Sequence, residues 1–216
     1  MTLNHLSRVN FLPVVFDIET EGLDPFKNKV LAIAWKVGHE NPIAMCVKKE
    51  NAAGEKQLLD LFFSKLNSLS EVGSEEGIRP LLVGYNILGF DIPFLTTRAI
   101  VNGMIEESAT LRKFYRVDLM HLVTRYLRTN NKHMKLKEVA EALGIGVVDE
   151  VEGADVPELF EEENYKAIME HCISDVKLAY QLMLKLKPLI EYNVQRRYNL
   201  GFVELICDRG VSSDRV

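Results

Sequence analysis

The chain has 216 residues, 47% of them hydrophobic and 26% charged, with a formal net charge of −5. This describes a globular chain with one well-buried core, and the net charge gives no overall pull toward nucleic acid or an anionic membrane. The three cysteines, Cys46, Cys172 and Cys207, form neither a zinc spacing nor a disulfide framework. No apolar run approaches a membrane span or completes a signal peptide before Asp17, so the expectation is a cytoplasmic protein without membrane contact.

In chain order, residues 12–18 read as a buried strand. Residues 29–37 and 42–48 read as two more, joined by a hairpin-like connection at residues 38–41. Residues 54–69 carry Leu58, Leu59, Phe62, Phe63, Leu66 and Leu69 at the spacing of an amphipathic helix. Residues 70–79, polar with two glycines, predict a loop. Residues 81–85 predict a short buried strand, and 92–101 a helix with Pro93 tolerated in its first turn. A short extended piece at 115–117 precedes Asp118, which can cap a helix running to 128. Residues 136–143 predict a short helix stopped by Gly144, and the acidic stretch 147–162 an irregular segment. A long helix is expected over 164–187, ended by Pro188. A final segment follows, with Gln195, Arg196 and Arg197 and a tail without clear pattern. The order predicts a mixed α/β domain, its central sheet covered by helices on both faces.

Charge is uneven along the chain. Residues 112–137 hold eight lysines and arginines against one acid, Asp118. Such a basic stretch inside an acidic protein suits a phosphodiester backbone, and equally a solvated helix face.

Three acidic positions carry the chemistry. Strand alternation sends Asp17 and Glu19 to one face and Phe16 and Ile18 to the other. Two carboxylates side by side on a buried strand repel each other unless one is protonated or a cation lies between them. Hard oxygen ligands suit magnesium or manganese. A strand ending in a polar turn, with Gly22, Asp24 and Pro25, accounts for the same residues. Asp91 follows a turn with Gly84 and Gly89, where it serves either as a helix cap or as part of a site. Beside it, Asn86 and Phe90 offer an amide and a flat ring suited to a nucleotide sugar and base. His171 and Asp175 lie four apart on a helical pattern, opposite a core face of Val176, Ala179 and Met183. By themselves they fit a surface pair or a core histidine satisfied by a carboxylate. Brought together, Asp17, Glu19, Asp91 and Asp175 could hold two divalent ions, with His171 placed to orient or deprotonate a water.

In this order the residues resemble a DEDD-type 3′–5′ exonuclease of the ribonuclease-H-like fold. Within it they are most similar to the proofreading exonuclease domain of family-B DNA polymerases. Asp17, Ile18, Glu19 and Thr20, with Leu23 behind them, match the first motif. Tyr85, Asn86, Phe90 and Asp91 match the second, with the asparagine five residues before the aspartate. His171 and Asp175 stand at the third. Val117, Asp118 and Leu119, and the stretch 136–144, echo the family too. The resemblance covers residues 13–187 of a single domain spanning 1–216, leaving 188–216 as a C-terminal extension.

The resemblance implies a five-stranded mixed sheet with its second strand antiparallel, flanked by helices. It implies Asp17, Glu19, Asp91 and Asp175 as ligands of two divalent ions, Mg²⁺ or Mn²⁺, and catalysis by these residues with His171. It places Thr20, Leu23, Asn86 and Phe90 along the 3′-terminal nucleotides, Leu23 as a wedge against a base. The expected activity is metal-dependent 3′–5′ hydrolysis of single-stranded nucleic acid, DNA first. The alternatives are an exoribonuclease of the same fold and a weakly active binding or scaffold module. The expectation is a free-standing domain or subunit; a protein partner in replication or repair is not readable. One departure concerns the third motif. The polymerase-like group has tyrosine four residues before the last aspartate, and the other main group has histidine five before it. Here histidine stands at four and Glu170 at five. His171 is read as a replacement for the tyrosine, because the four-residue spacing keeps it above Asp175.

Overall fold

Apolar residues on both faces of the first strand predict a strand buried on both sides. That strand, β1 (Val9–Thr20), is the centre of the sheet. The computed structural model describes residues 8–49, 51, 53–127, 134–146 and 151–207. Five strands run in the order β3-β2-β1-β4-β5, with β2 (Val30–Val37), β3 (Ile43–Cys46), β4 (Ile78–Gly84) and β5 (Tyr115–Asp118). β2 pairs antiparallel with β1 and with β3, while β4 and β5 continue parallel to β1. The expected sheet is therefore present, with β2 as the strand that runs against the others.

A sixth strand, β6 (Val203–Leu205), lies parallel to the start of β1 and pairs with Val9–Phe11. It takes an edge that β2 leaves open, since β2 pairing begins at Val14. Residues beyond 187 thus enter the core: Ile190 and Val194 of α7 (Lys187–Arg197) are buried with Val203 and Leu205 against Phe11 and Val15.

Alternation along β1 divides the core. Leu12, Val14, Phe16 and Ile18 face α1 (Gly54–Glu76) and α2 (Asp91–Val101), packing with Phe62, Leu66, Phe94 and Leu95. Phe11 and Val15 face the other layer, which holds α3 (Leu119–Tyr126), α4 (Leu136–Ala142), α7 and the long α6 (Tyr165–Lys185). A third, small cluster joins Leu31 and Ala32 of β2 to Val156 and Phe160 of α5 (Val156–Glu161) and to Ile168.

Two segments differ from the sequence expectation. Residues 70–76, expected in a loop, extend α1 by two turns, and Ile78 already belongs to β4. The two glycines read as loop markers have separate tasks. Gly77, at φ 68°, closes the helix in the left-handed conformation with its N–H on the Gly73 carbonyl. A side chain at Gly73 would strike the Ile78 carbonyl. The stretch 147–162 is not irregular throughout: residues 153–155 form a 3-10 turn and α5 follows, with Pro157 in its first turn. Residues 147–150 lie outside the described ones. Pro188 likewise opens α7, directly after α6 ends.

One buried ion pair ties the layer under α1 together. Glu55 accepts from Arg98 Nε at 2.8 Å and Nη2 at 2.6 Å, from Asn102 Nδ2 at 2.9 Å and from Val30 N–H at 2.9 Å. Arg98 Nη1 also donates to the Pro25 carbonyl, in the connection between β1 and β2. Among the described residues, no helix is long and apolar enough to cross a membrane.

Candidate active site

Parallel strands deliver their following loops to one edge of a sheet, and ligands of such sheets gather there. Here the C-terminal ends of β1, β4 and β5 carry Asp17 with Glu19, the turn before Asp91, and Asp118. Asp17 and Glu19 share the β1 face of Val15, so they point at α6, which brings His171, Cys172 and Asp175. The pairing of β1 with β2 slips by one residue between Glu19 and Thr20. Such a bulge re-aims the end of a strand.

Glu19, Asp91 and Asp175 all lie near enough to Asp17 for their charges to act on it. The Asp17 carboxyl is held well above its ordinary range, first by burial and then by the charges of Asp91, Glu19 and Asp175. Asp91, 3% exposed at the N-terminus of α2, is pushed up to about 7. Burial is the main cause, and Asp118 adds repulsion, while hydrogen bonds from the backbone of Asp91 and Ile18 oppose it. Asp91 Oδ1 is buried with no hydrogen-bond partner among the described residues. A buried carboxylate oxygen without a donor, beside further carboxylates, suits a divalent cation with hard oxygen ligands. The donor set therefore fits magnesium or manganese.

Ligand atoms of Asp17, Glu19 and Cys172 lie within 4.8 Å of one another. In the sequence Cys172 is only one of three cysteines without zinc or disulfide spacing. Its Sγ lies 3.5 Å from the Asp17 carbonyl and 3.7 Å from Asp17 Oδ2. Burial, followed by the charges of Asp17, Glu19 and Asp175, raises the thiol well above its ordinary value. Cys172 is thus a neutral donor to Asp17, not a thiolate.

His171 is 3% exposed, and its Nε2 lies 3.4 Å from Glu19 Oε1. The four-residue spacing kept it on the Asp175 side of α6, and both residues line one cavity of about 470 Å³. Asn86, Tyr85 and Met120 form another wall of it; Lys135, Lys137 and Glu152 complete the rim. Glu152 pairs with Lys135 at 2.8 Å and Lys137 at 3.7 Å. Gly153 brings the 3-10 turn close to Glu19: a Cβ there would lie 3.9 Å from Glu19 Oε2.

Thr20, Leu23 and Phe90 lie outside the lining of this cavity. Thr20 donates its hydroxyl to the Gly22 carbonyl at 2.9 Å. Leu23 is 84% exposed in the connection after β1. Phe90 packs on Phe94, ring centroids 5.3 Å apart, at the start of α2.

Asn86 holds a left-handed backbone, φ 62°. Its strain is contained by Asp118, whose carboxylate accepts from Asn86 N–H and Leu88 N–H, each at 3.0 Å. The same carboxylate caps α3 through Met120 N–H and His121 N–H. The sequence identified Asp118 as a cap; that it also clamps the turn before Asp91 required the adjacency of β4 and β5.

The basic stretch 112–137 does not form one face. Lys135 and Lys137 reach the cavity, whereas Arg125 lies across α3 and Lys113 sits at the opposite end of the sheet with Arg79. Arg128 and Lys132 lie outside the described residues.

A model of the RNase H superfamily matches residues 14–195. An uncharacterized protein of Methanocaldococcus jannaschii is 30% identical over 177 residues, 78% of this chain and 91% of that protein. Among solved structures, the family B DNA polymerase of the hyperthermophilic archaeon Pyrobaculum calidifontis superposes with a TM-score of 0.65 at 21% identity. The match covers 85% of this chain and 25% of the polymerase, and at that identity it speaks for the fold alone.

Proposed function

The chain belongs to the RNase H superfamily, and on that premise we propose that it is a metal-dependent 3′–5′ exonuclease acting on single-stranded nucleic acid, DNA in preference to RNA. The observation that carries this reading is the convergence of Asp17, Glu19, Asp91 and Asp175 at one sheet edge, with His171 beside Glu19. Asp17, Glu19, Asp91 and Asp175 would hold two ions, Mg²⁺ or Mn²⁺. When bound, such ions neutralise charge on a phosphoryl group and make a water acidic enough to lose its proton near neutral pH. His171, its position fixed by Glu19, would orient or deprotonate a water there. Asn86 meets the terminal sugar, and Lys135 and Lys137 meet phosphate once Glu152 gives way. Thr20, Leu23 and Phe90 border the terminal bases, with the exposed Leu23 side chain as the wedge.

The test is a panel of DNA and RNA oligonucleotides, single- and double-stranded, labelled at either end and incubated with Mg²⁺ or Mn²⁺. Mononucleotides released from the 3′ end of single-stranded DNA support the reading. No degradation under any metal, or full activity in Asp17→Ala, overturns it.

A further inference from the structure

On the far side of α3 from the cavity lies a second groove, of about 530 Å³, between α3 and α7. Met120 of α3 lines the cavity, while the next residue, His121, opens the groove. Arg125, Arg196 and Arg197 supply its charge, and Tyr126 and Tyr192 its rings. Asp118 is the one acid in its lining, and its carboxylate is buried and occupied by four backbone N–H groups. Among the described residues, no carboxylate pairs with any of the three arginines. They rest on rings instead: Arg125 lies 5.6 Å from the Tyr126 centroid, Arg196 5.8 Å from that of Tyr192, and Arg197 5.6 Å from that of Tyr198, outside the groove's lining. Arg196 Nη1 also donates to the Tyr192 hydroxyl at 3.0 Å.

Helix ends alone account for basic residues in the last turns of α3 and α7. They do not account for three unneutralised arginines and two tyrosines facing one groove in a chain of net charge −5. Arginine forks bind phosphate oxygens, and an exposed ring, here Tyr192, stacks on bases whatever their sequence, while Tyr126 is partly buried against the core. We propose that this groove is an accessory subsite for single-stranded nucleic acid, holding nucleotides upstream of the end that enters the cavity. The strand crosses α3 between the two. The inference rests on the exonuclease reading for its direction, not for its existence.

The experiment measures fluorescence anisotropy of a single-stranded oligonucleotide of about 20 nucleotides, enough to span both sites, across a salt series with EDTA present. The wild type is compared with Arg196→Ala/Arg197→Ala and with the double lysine variant. Both arginines are exposed, so circular dichroism serves as the fold control. The alanine variant should bind about tenfold more weakly, and its salt slope should fall by about 1.4, as for two lost single-strand phosphate contacts. The lysine variant should keep most of the slope. Hydrolysis of a dinucleotide, too short to reach the groove, should be unchanged. Unchanged affinity and slope in the alanine variant overturn the subsite even if the wild type degrades DNA. Arginine-dependent binding by a wild type that degrades nothing upholds the subsite and sinks the exonuclease reading.

Discussion

Replacing Glu55 by leucine should be among the most damaging single changes in this protein, although the residue touches no candidate ligand. The carboxylate accepts four hydrogen bonds, two of them from the Arg98 guanidinium, and both residues are nearly excluded from solvent. Its loss strands the Val30 N–H at the start of β2 and leaves a buried cation with the Pro25 carbonyl. Breaking a buried pair from one side costs about 3–5 kcal/mol, far more than a surface pair. In a domain of this length that corresponds to a fall in Tm of roughly 6–20 °C. Urea denaturation of Glu55→Leu, Arg98→Met and the double variant gives the coupling directly. The double variant should lose about 2 kcal/mol less than the sum of the singles, since it leaves no charge unpaired.

The pair also has a pH signature. Burial by itself would raise the Glu55 carboxyl, but hydrogen bonds from Arg98, Asn102 and Val30 and the Arg98 charge outweigh it, and the carboxyl sits below its ordinary 4.5. A carboxyl depressed by folding stabilises the protein above its ordinary value, and the contribution disappears as pH falls through the folded one. The gap between wild type and Glu55→Leu should therefore be constant at neutral pH and shrink on acidification below about 4.5. A loss under about 1 kcal/mol in Glu55→Leu at neutral pH, or purely additive singles, would refute the reasoning.

Asp91 should show the opposite pH behaviour. Its carboxyl is raised by burial from 3.8 to about 7, so the metal-free fold loses stability as pH climbs through that window. Calorimetry of the metal-free protein should find Asp91→Asn less sensitive to that climb than the wild type, while the same variant loses at least about 100-fold in metal-dependent hydrolysis. Magnesium or manganese should raise the wild-type Tm more at about pH 8 than at about pH 5, because the ion must displace protons; isothermal titration in two buffers of different ionisation enthalpy should register their release. Asp118→Ala frees the Asn86 turn and removes the α3 cap, and should cost about 2–4 kcal/mol in denaturant melts. Replacing Gly73 by alanine sets a methyl against the Ile78 carbonyl at the start of β4, and should lower stability by about 1–3 kcal/mol with no change in nucleic-acid binding.

The three acidic motifs were legible because each is local. Alternation alone places Asp17 and Glu19 on one face of β1, and a four-residue step alone places His171 with Asp175. The short connection at residues 38–41 marks β2 and β3 as a hairpin, while the antiparallel run of β2 against β1 is what the family resemblance implied, and the pairing agrees with it. What no local pattern contains is which distant residues become neighbours. That Cys172 donates to Asp17, that Asp118 clamps the turn before Asp91, and that Glu152 neutralises two lysines at the cavity rim depend on the stacking of β1, β4, β5 and α6. The glycines of residues 70–79 show the same limit. In sequence they read as loop, whereas one caps a helix and the other admits a carbonyl from the strand that follows. The basic stretch 112–137 is continuous only along the chain; folding sends its members to opposite ends of the sheet and gathers Arg125 with Arg196 and Arg197. Sequence fixes what each segment can offer, through propensity and spacing, but contacts between segments belong to the packed sheet and helices.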